Sequence, residues 1–491
     1  MKKRSLFATS AVLLVSIVLS LFCGMTVFAA DVTEISTADQ LKAITDMAGS
    51  YKLTADIDLG GAAWTPLGNS TTPFTGTFDG NGHTVSNFTI TSDSTNQYAE
   101  IGFFGNVSTG TVKDLRIAKA AILTGYGEIA GGIVGHLSST EGGLVSGCVT
   151  ASDVTVKVDG RIKGTMNLGG IVGYSRSAVE YCENNAAVTV VKCKSLTDGT
   201  QKAYAGGIAG RAIGTVKYCI NNGAVTIENY EGMKSGYYTF SAGVVGGMNP
   251  WNGTTSTVEG CINNATIANK NEVLSVATGA GGVIGNTLGG NSDASARVIR
   301  NCFNFGAVDS NALNDLGQIV GHLGNSDPCY GIFTHEGNYY LDGIGVLGAM
   351  YLGTEIAAGT AATAEAMKAT DGYKAIIAAI NDNLVFELSA MPAPAEPTTP
   401  DVPGDTGSDG EDTGADTGAD TGADTDADTE GETDETKAPA NSGSATTEAS
   451  DNAGETDGEK ADGGCGSTVS VASMAVLAVL GAAVTVCKKK D

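Results

Sequence analysis

A four-residue element of glycine, two apolar residues and glycine runs through the middle of the chain. It reads GFFG (102–105), GIVG (132–135), GIVG (170–173), GIAG (207–210), GVVG (243–246) and GVIG (282–285), with QIVG (318–321) as a last variant. Successive closing glycines stand 30, 38, 37, 36, 39 and 36 residues apart. A near-constant period of this length means one supersecondary unit repeated and stacked. The units hold short β-branched runs without helical periodicity, so they predict an all-β solenoid rather than an array of helix pairs.

Aligning the repeats on Cys148, Cys182, Cys219, Cys261 and Cys302 makes side-chain directions readable, because strand residues alternate between faces. Three positions earlier stand Val145, Val179, Val216, Val258 and Ile299, an inward column. Gly147, Tyr181, Tyr218, Gly260 and Asn301 precede the cysteines, and the Gly/Asn bias predicts a corner that resets the alternation. Two positions after the cysteine come Asn184, Asn221, Asn263 and Asn304, then small residues, then Val188, Val225, Ile267 and Val308. Intervening residues such as Glu183, Thr189 and Thr226 are expected to face water.

Stacked parallel coils repeat each column at about 4.8 Å, so the asparagines predict an amide ladder and the cysteines a buried structural column. A zinc site needs ligands converging on one point at CxxC-like spacing, and these cysteines come one per repeat. No metal or cofactor is expected. Disulfide pairing is the lesser alternative, since five residues in one column cannot pair completely.

A unit near 37 residues exceeds the roughly 20 to 25 expected of three short strands with corners, so the surplus is expected in loops. Candidate loops are 157–167, 228–241, 248–256 and 286–296. Their aromatic residues Tyr230, Tyr237, Tyr238, Phe240 and Trp251 are candidate ligand-binding residues able to stack on sugar rings. Thr37 with Gln40 forms a capping-box pattern opening a short helix that would cover the first coils. Tyr373, Ile376, Ile377 and Ile380 have helical spacing, and that helix is expected to close the last coil.

Both ends carry apolar runs. Residues 1–30 combine a basic start, an apolar stretch and small residues before Asp31, the pattern of a secretory signal, with an uncleaved anchor as the alternative. Residues 468–487 are uncharged and precede Lys488, Lys489 and Lys490; at ~1.5 Å per residue a helix there would rise about 30 Å. A transmembrane helix is therefore expected, with residues 488–491 cytoplasmic and everything upstream outside. Between the solenoid and that run, residues 391–464 form a linker whose composition cannot bury a core. Within it, 392–464 hold 21 acidic residues against two lysines, so most of the net charge of -26 lies outside the folded part. The charge sign and the lack of a basic face argue against nucleic acid as a partner.

The stretch YKLTADIDLGGAAWTPLGNSTTPFTGTFDGNGHTVSNFTI (51–90), followed by the glycine-flanked repeats, resembles bacterial surface proteins with GLUG motifs. The resemblance covers about residues 35–385 and implies a right-handed parallel β-helix on an exported, often adhesive protein. It divides the head into an N-terminal cap and first coils (31–100), repeats (101–345) and a C-terminal helical cap (346–390). Related repeats occur beside metallopeptidase domains in IgA-cleaving enzymes, but this chain has no HExxH and that activity is not carried over.

No catalytic residues are assigned. Asp79 and His83 have acid–base chemistry, yet they lie in FDGNGHTV, whose Asp-Gly and Asn-Gly steps predict a turn. His136, His322 and His335 are expected to be ordinary polar surface. Three functions fit. The first is a non-enzymatic cell-surface module for an extracellular glycan or a host or microbial surface protein. The second is a polysaccharide lyase or hydrolase whose carboxylates converge between coils. The third is a structural spacer.

Overall fold

The computed structural model describes residues 31–391 apart from 93–99, 126–128, 163–164, 196–201, 229–237, 251–252, 271–276, 288–294, 311–315, 324–332, 344–348, 352–353 and 357. The signal, the acidic linker and the expected transmembrane helix at 468–487 lie outside the described residues. Among the described residues, no helix is long and apolar enough to cross a membrane.

Each repeat makes one turn of a parallel solenoid. In one coil the chain passes through Thr165–Gly169, Val172–Ser175, Ala178–Glu180, Glu183–Asn184 and Ala187–Ser195. The next coil stacks in register, with Val179 on Val216, Asn184 on Asn221 and Val188 on Val225. Four sheets result. Ten described strands form a valine sheet, named for the inward Val112, Val145, Val179, Val216 and Val258, and a large amide sheet carries the asparagines. Seven and nine described strands form two glycine sheets, one on each side of the GxxG turn. Four faces explain the long repeat better than three: of the expected loop 157–167, Thr155–Ile162 and Thr165–Gly169 are strand.

Val179 and Cys182 are both buried although they stand an odd number of positions apart. The left-handed corner between them makes this possible: Tyr181, Tyr218 and Asn301 have φ of 54°, Gly147 63° and Gly260 61°. One left-handed residue per coil turns the chain and restores the inward face.

The amides form a continuous column. Asn184 donates from Nδ2 to Asn221 Oδ1 (2.8 Å), Asn221 to Asn263 (2.9 Å), and Asn263 to Asn304 (2.7 Å). Thr150 Oγ1 donates into one end at 2.6 Å, and Gln318 Oε1 accepts at the other at 2.8 Å. Each Nδ2 also donates to the carbonyl two residues on, and each Oδ1 accepts the amide from that residue. All four hydrogen-bonding positions of each buried amide are filled. The opening glycines exist for this column: a Cβ on Gly170, Gly207, Gly243 or Gly282 would overlap the side chain of Asn184, Asn221, Asn263 or Asn304.

At the start, helix Ala38–Lys42 carries the Thr37–Gln40 capping box and buries Leu41 in the main core. At the far end, strands Ala349–Tyr351 and Thr354–Ile356 form an antiparallel hairpin on the glycine sheet that follows the GxxG turn. The C-terminal helices Ala364–Ala369 and Asp371–Asn383 do not close the last coil. Met367, Tyr373, Ile376 and Ile380 instead pack on Val149, Ile220, Ile262, Phe303 and Phe305, along the outer face of the amide sheet. The chain continues across earlier coils, with Phe386 under Arg116 (4.7 Å) and the Ser389 amide donating to Glu183 Oε1 (3.0 Å). Glu183, expected in water, is only 1% exposed because this strap covers it.

The two asparagine columns of the amide sheet separate burial from mere pairing. Asn221 belongs to the inner one, whereas Asn222 belongs to a half-buried outer one, donating to Asn185 and Glu183 at 2.9 Å. Asn221→Ala should cost about 3 kcal/mol or more, since it strands Asn184 Nδ2, Asn263 Oδ1 and the backbone of Gly223. Asn222→Ala should cost about 1 kcal/mol. Urea denaturation of both variants measures the difference; equal losses would mean that the inner column carries no special weight.

Candidate ligand seam between the glycine sheets

The sheets before and after the GxxG turn approach each other through glycine. A Cβ on Gly173 would stand 2.7–2.8 Å from the backbones of Gly135 and Ala130, and one on Gly210 would meet the backbone of Asn167 and Leu168. Beyond these glycines the space between the sheets holds side chains. One wall carries Glu100, Ile129, Asn167, Tyr204 and Phe240 in register. The other carries Asn106, His136, Tyr174 and Arg211.

The second wall is a stack rising one residue per coil. The His136 ring lies parallel to Tyr174 with centroids 5.0 Å apart, and Arg211 Cζ stands 5.0 Å from the Tyr174 ring. The walls meet where Glu100 Oε1 accepts from Asn106 Nδ2 (2.7 Å) and pairs with His136 Nδ1 (3.0 Å). Tyr204 and Phe240 stack at 5.5 Å, and Phe240 lies 5.6 Å from His322. Burial pushes the Tyr204 hydroxyl up to about 12.

Among the described residues, His136 Nε2, Asn167 Oδ1, Tyr174 OH and Arg211 Nε are buried in the seam without a hydrogen-bond partner. Their spacing along successive coils contrasts with the fully satisfied amide column. These residues could hold a polar ligand; their edges, not their ring faces, carry the free hydrogen-bonding capacity.

Two of the five aromatic candidates fall within the described residues. Phe240 is fully buried and offers no face to a ligand, and Tyr238 is half-buried beside Phe240 (6.4 Å) with Lys202 Nζ 5.8 Å from its ring centre. Sugar stacking on Phe240 is therefore ruled out by its packing. Tyr230, Tyr237 and Trp251 lie outside the described residues. His136 and His322 are not ordinary surface: both enter the seam, His322 at 2% exposure. Sequence reasoning passed over Tyr174 and Arg211, although a signal was present. The residue after each closing glycine changes between copies while the glycine stays: Asn106, His136, Tyr174, Arg211, Gly247, Asn286, His322.

The other chemistry-bearing groups are held elsewhere. Cys148, Cys182, Cys219, Cys261 and Cys302 are buried and unpaired, each Sγ lying against backbone carbonyl oxygens. Burial drives the Cys148, Cys219 and Cys302 thiols well up. Asp79 and His83 do not pair; His83 Nδ1 lies 3.3 Å from Asp56 Oδ1, and Asp79 joins Asp114 on Lys113 Nζ at 2.8 and 3.0 Å. Against the cost of burial, those two carboxylates hold Lys113 above its ordinary value. Among the described residues no group of three or more His, Cys, Asp or Glu could hold a metal ion.

No protein-family model matches the chain. It is 29% identical over 171 residues to halomucin of Haloquadratum walsbyi, a likeness spanning 32% of this chain and 2% of that protein. Among solved structures it is similar to a protein of Bacteroides ovatus assigned as an immunoglobulin A1 protease, with 21% identity, 70% of this chain, 86% of that one and a TM-score of 0.40. An IgA1 protease is similar at 16% identity and a TM-score of 0.40, over 63% of this chain and 21% of that one.

Two measurements probe this arrangement. Alkylation of the native protein followed by peptide mapping should leave the five column cysteines unmodified, and denaturation should expose all five; native labelling would refute their burial. Tyr204 supplies a pH signature. Its folded pKa lies above the ordinary 10.0, so its stabilisation is complete below pH 10 and is lost as pH rises toward about 12. Between pH 10 and 12, wild type should lose about 2–3 kcal/mol that Tyr204→Phe keeps, as read by denaturation at each pH.

Proposed function

We propose that the chain is an exported, membrane-anchored surface protein whose right-handed β-helix is a non-enzymatic binding module for a glycan, seated at the seam. The observation that carries this reading is the set of four unpartnered buried atoms on His136, Asn167, Tyr174 and Arg211. A buried polar atom without a partner costs about 1–3 kcal/mol, and four along one seam are a standing cost that a hydroxyl-rich ligand would relieve. Successive coils offer donors and acceptors at a regular rise, which suits a chain of repeating sugars better than a single small molecule. Protein ligands would meet the same edges, and a glycan is preferred because hydroxyls can both donate and accept.

One observation favours a second reading, a polysaccharide lyase or hydrolase. Asp79 and Asp114 come from neighbouring coils and converge on Lys113. Such a site would combine carboxylates with a basic residue, although here all three are engaged with one another.

A glycan array probed with the full chain, with a parallel assay for unsaturated sugar ends and new reducing ends, decides between them. Binding without release is expected. Turnover abolished by Lys113→Met would overturn the binding reading in favour of the enzyme. Tyr174→Phe removes only the unpartnered hydroxyl: it should weaken glycan binding about tenfold while leaving stability equal or higher. Unchanged binding would remove the seam from the function.

A further inference from the structure

Arg211, like Arg116 against Phe386, lies on an aromatic ring with its Nε unbonded, whereas several other described cations pair with carboxylates. Lys113, Lys217 and Arg300 each pair with a carboxylate at 2.8, 3.1 and 2.9 Å, and His136 faces Glu100 at 3.0 Å. Arg211 has no carboxylate partner among the described residues; it lies against the Tyr174 ring, its charge reaches Tyr204, and its Nε is buried and unbonded. The ring's π face attracts a cation but leaves the guanidinium's in-plane N–H groups without acceptors. Leaving a partly buried guanidinium without an anion is expensive, whereas its planar fork matches a carboxylate or sulfate in two parallel hydrogen bonds.

The surroundings show where such an anion would come from. Tyr174 OH and Asn167 Oδ1, on residues 8% and 4% exposed, are unpartnered close by along the coil stack. Tyr174 can donate to a sugar hydroxyl or to a carboxylate, while Asn167 Oδ1 can only accept, from a hydroxyl. One cation, one hydroxyl and one acceptor therefore call for a ligand that is acidic at one point and hydroxylated beside it. Glu100 sits at the His136 end of the seam, so the positive charge is concentrated at the Arg211 end.

We infer that the seam selects an acidic saccharide, its carboxylate or sulfate held by Arg211 and its neighbouring hydroxyls by Tyr174 and Asn167. This rests on the glycan-binding reading above and names the class of glycan.

The test is titration calorimetry on the full chain with four probes: an oligogalacturonate, its fully methyl-esterified form, a carboxyl-reduced sulfated oligosaccharide, and an Asp/Glu-rich peptide. The acid is expected to bind at least about tenfold more tightly than the ester, with affinity falling as salt rises. Arg211→Gln should erase that preference and leave the melting temperature equal or higher, while Arg211→Lys should keep part of it. Comparing the oligogalacturonate with the sulfated probe tells carboxylate from sulfate as the anion. Equal affinity for acid and ester, with Arg211→Gln without effect, would overturn the acidic class and leave glycan binding standing. Failure of every saccharide on the array would overturn both, and preference for the acidic peptide would overturn the saccharide in favour of a protein ligand.

Discussion

The amide column sets the terms for the rest of the solenoid. An asparagine buried without partners would be a liability, yet each of Asn184, Asn221, Asn263 and Asn304 fills all four of its hydrogen-bonding positions. Half of those bonds reach the neighbouring coil and half the local backbone. The column thus fixes both the stacking register and the turn after each asparagine. It also dictates composition at a distance, because Gly170, Gly207, Gly243 and Gly282 must lack a side chain where the amides sit. The opening glycine of the GxxG element and the asparagine on the third strand after it are one structural decision recorded in two places of the repeat.

The closing glycine follows from a different constraint. It lets the two glycine sheets approach backbone to backbone, as a Cβ on Gly135, Gly173 or Gly210 would collide with the facing strand. A solenoid wall pinched in this way leaves no room for side chains beside the glycines, and side chains face one another only one residue later. That is where His136, Tyr174 and Arg211 stack. Architecture and candidate site are therefore adjacent by necessity: the same glycine that closes the seam places the next residue within it.

What could be read from the sequence was whatever repeats at a fixed offset. The cysteine, the asparagine two positions later and the corner residue before the cysteine show themselves column by column. Tyr181 and Tyr218 blur the corner signal, since tyrosine does not ordinarily mark a left-handed residue. Contacts between distant segments could not be read. Glu183 looks solvent-facing by alternation, and only the strap some two hundred residues later, through Ser389, buries it. The spacing of Tyr373, Ile376 and Ile380 announces a helix with one apolar face, but says nothing of which surface that face meets; the uncapped end of a solenoid was one choice and its flank another. Phe240 failed as a ligand contact for a similar reason. An aromatic residue near a predicted loop reads as exposed until the facing sheet, with His322, is known.

The contrast between the two internal columns is what gives the seam its meaning. Both run along successive coils, and both bury polar side chains between strands. In the amide column every rung matches the next, so repetition satisfies it; in the seam neighbouring rungs differ, and four atoms have no partner among the described residues. If stacking alone had shaped the seam, the sequence that solved the problem with asparagine would be expected to solve it again with identical residues or with apolar ones, which would remove the cost altogether. A column that keeps histidine, tyrosine and arginine in place of such residues forgoes that gain in stability, and this departure from the rule of the amide column is what makes the seam the candidate site.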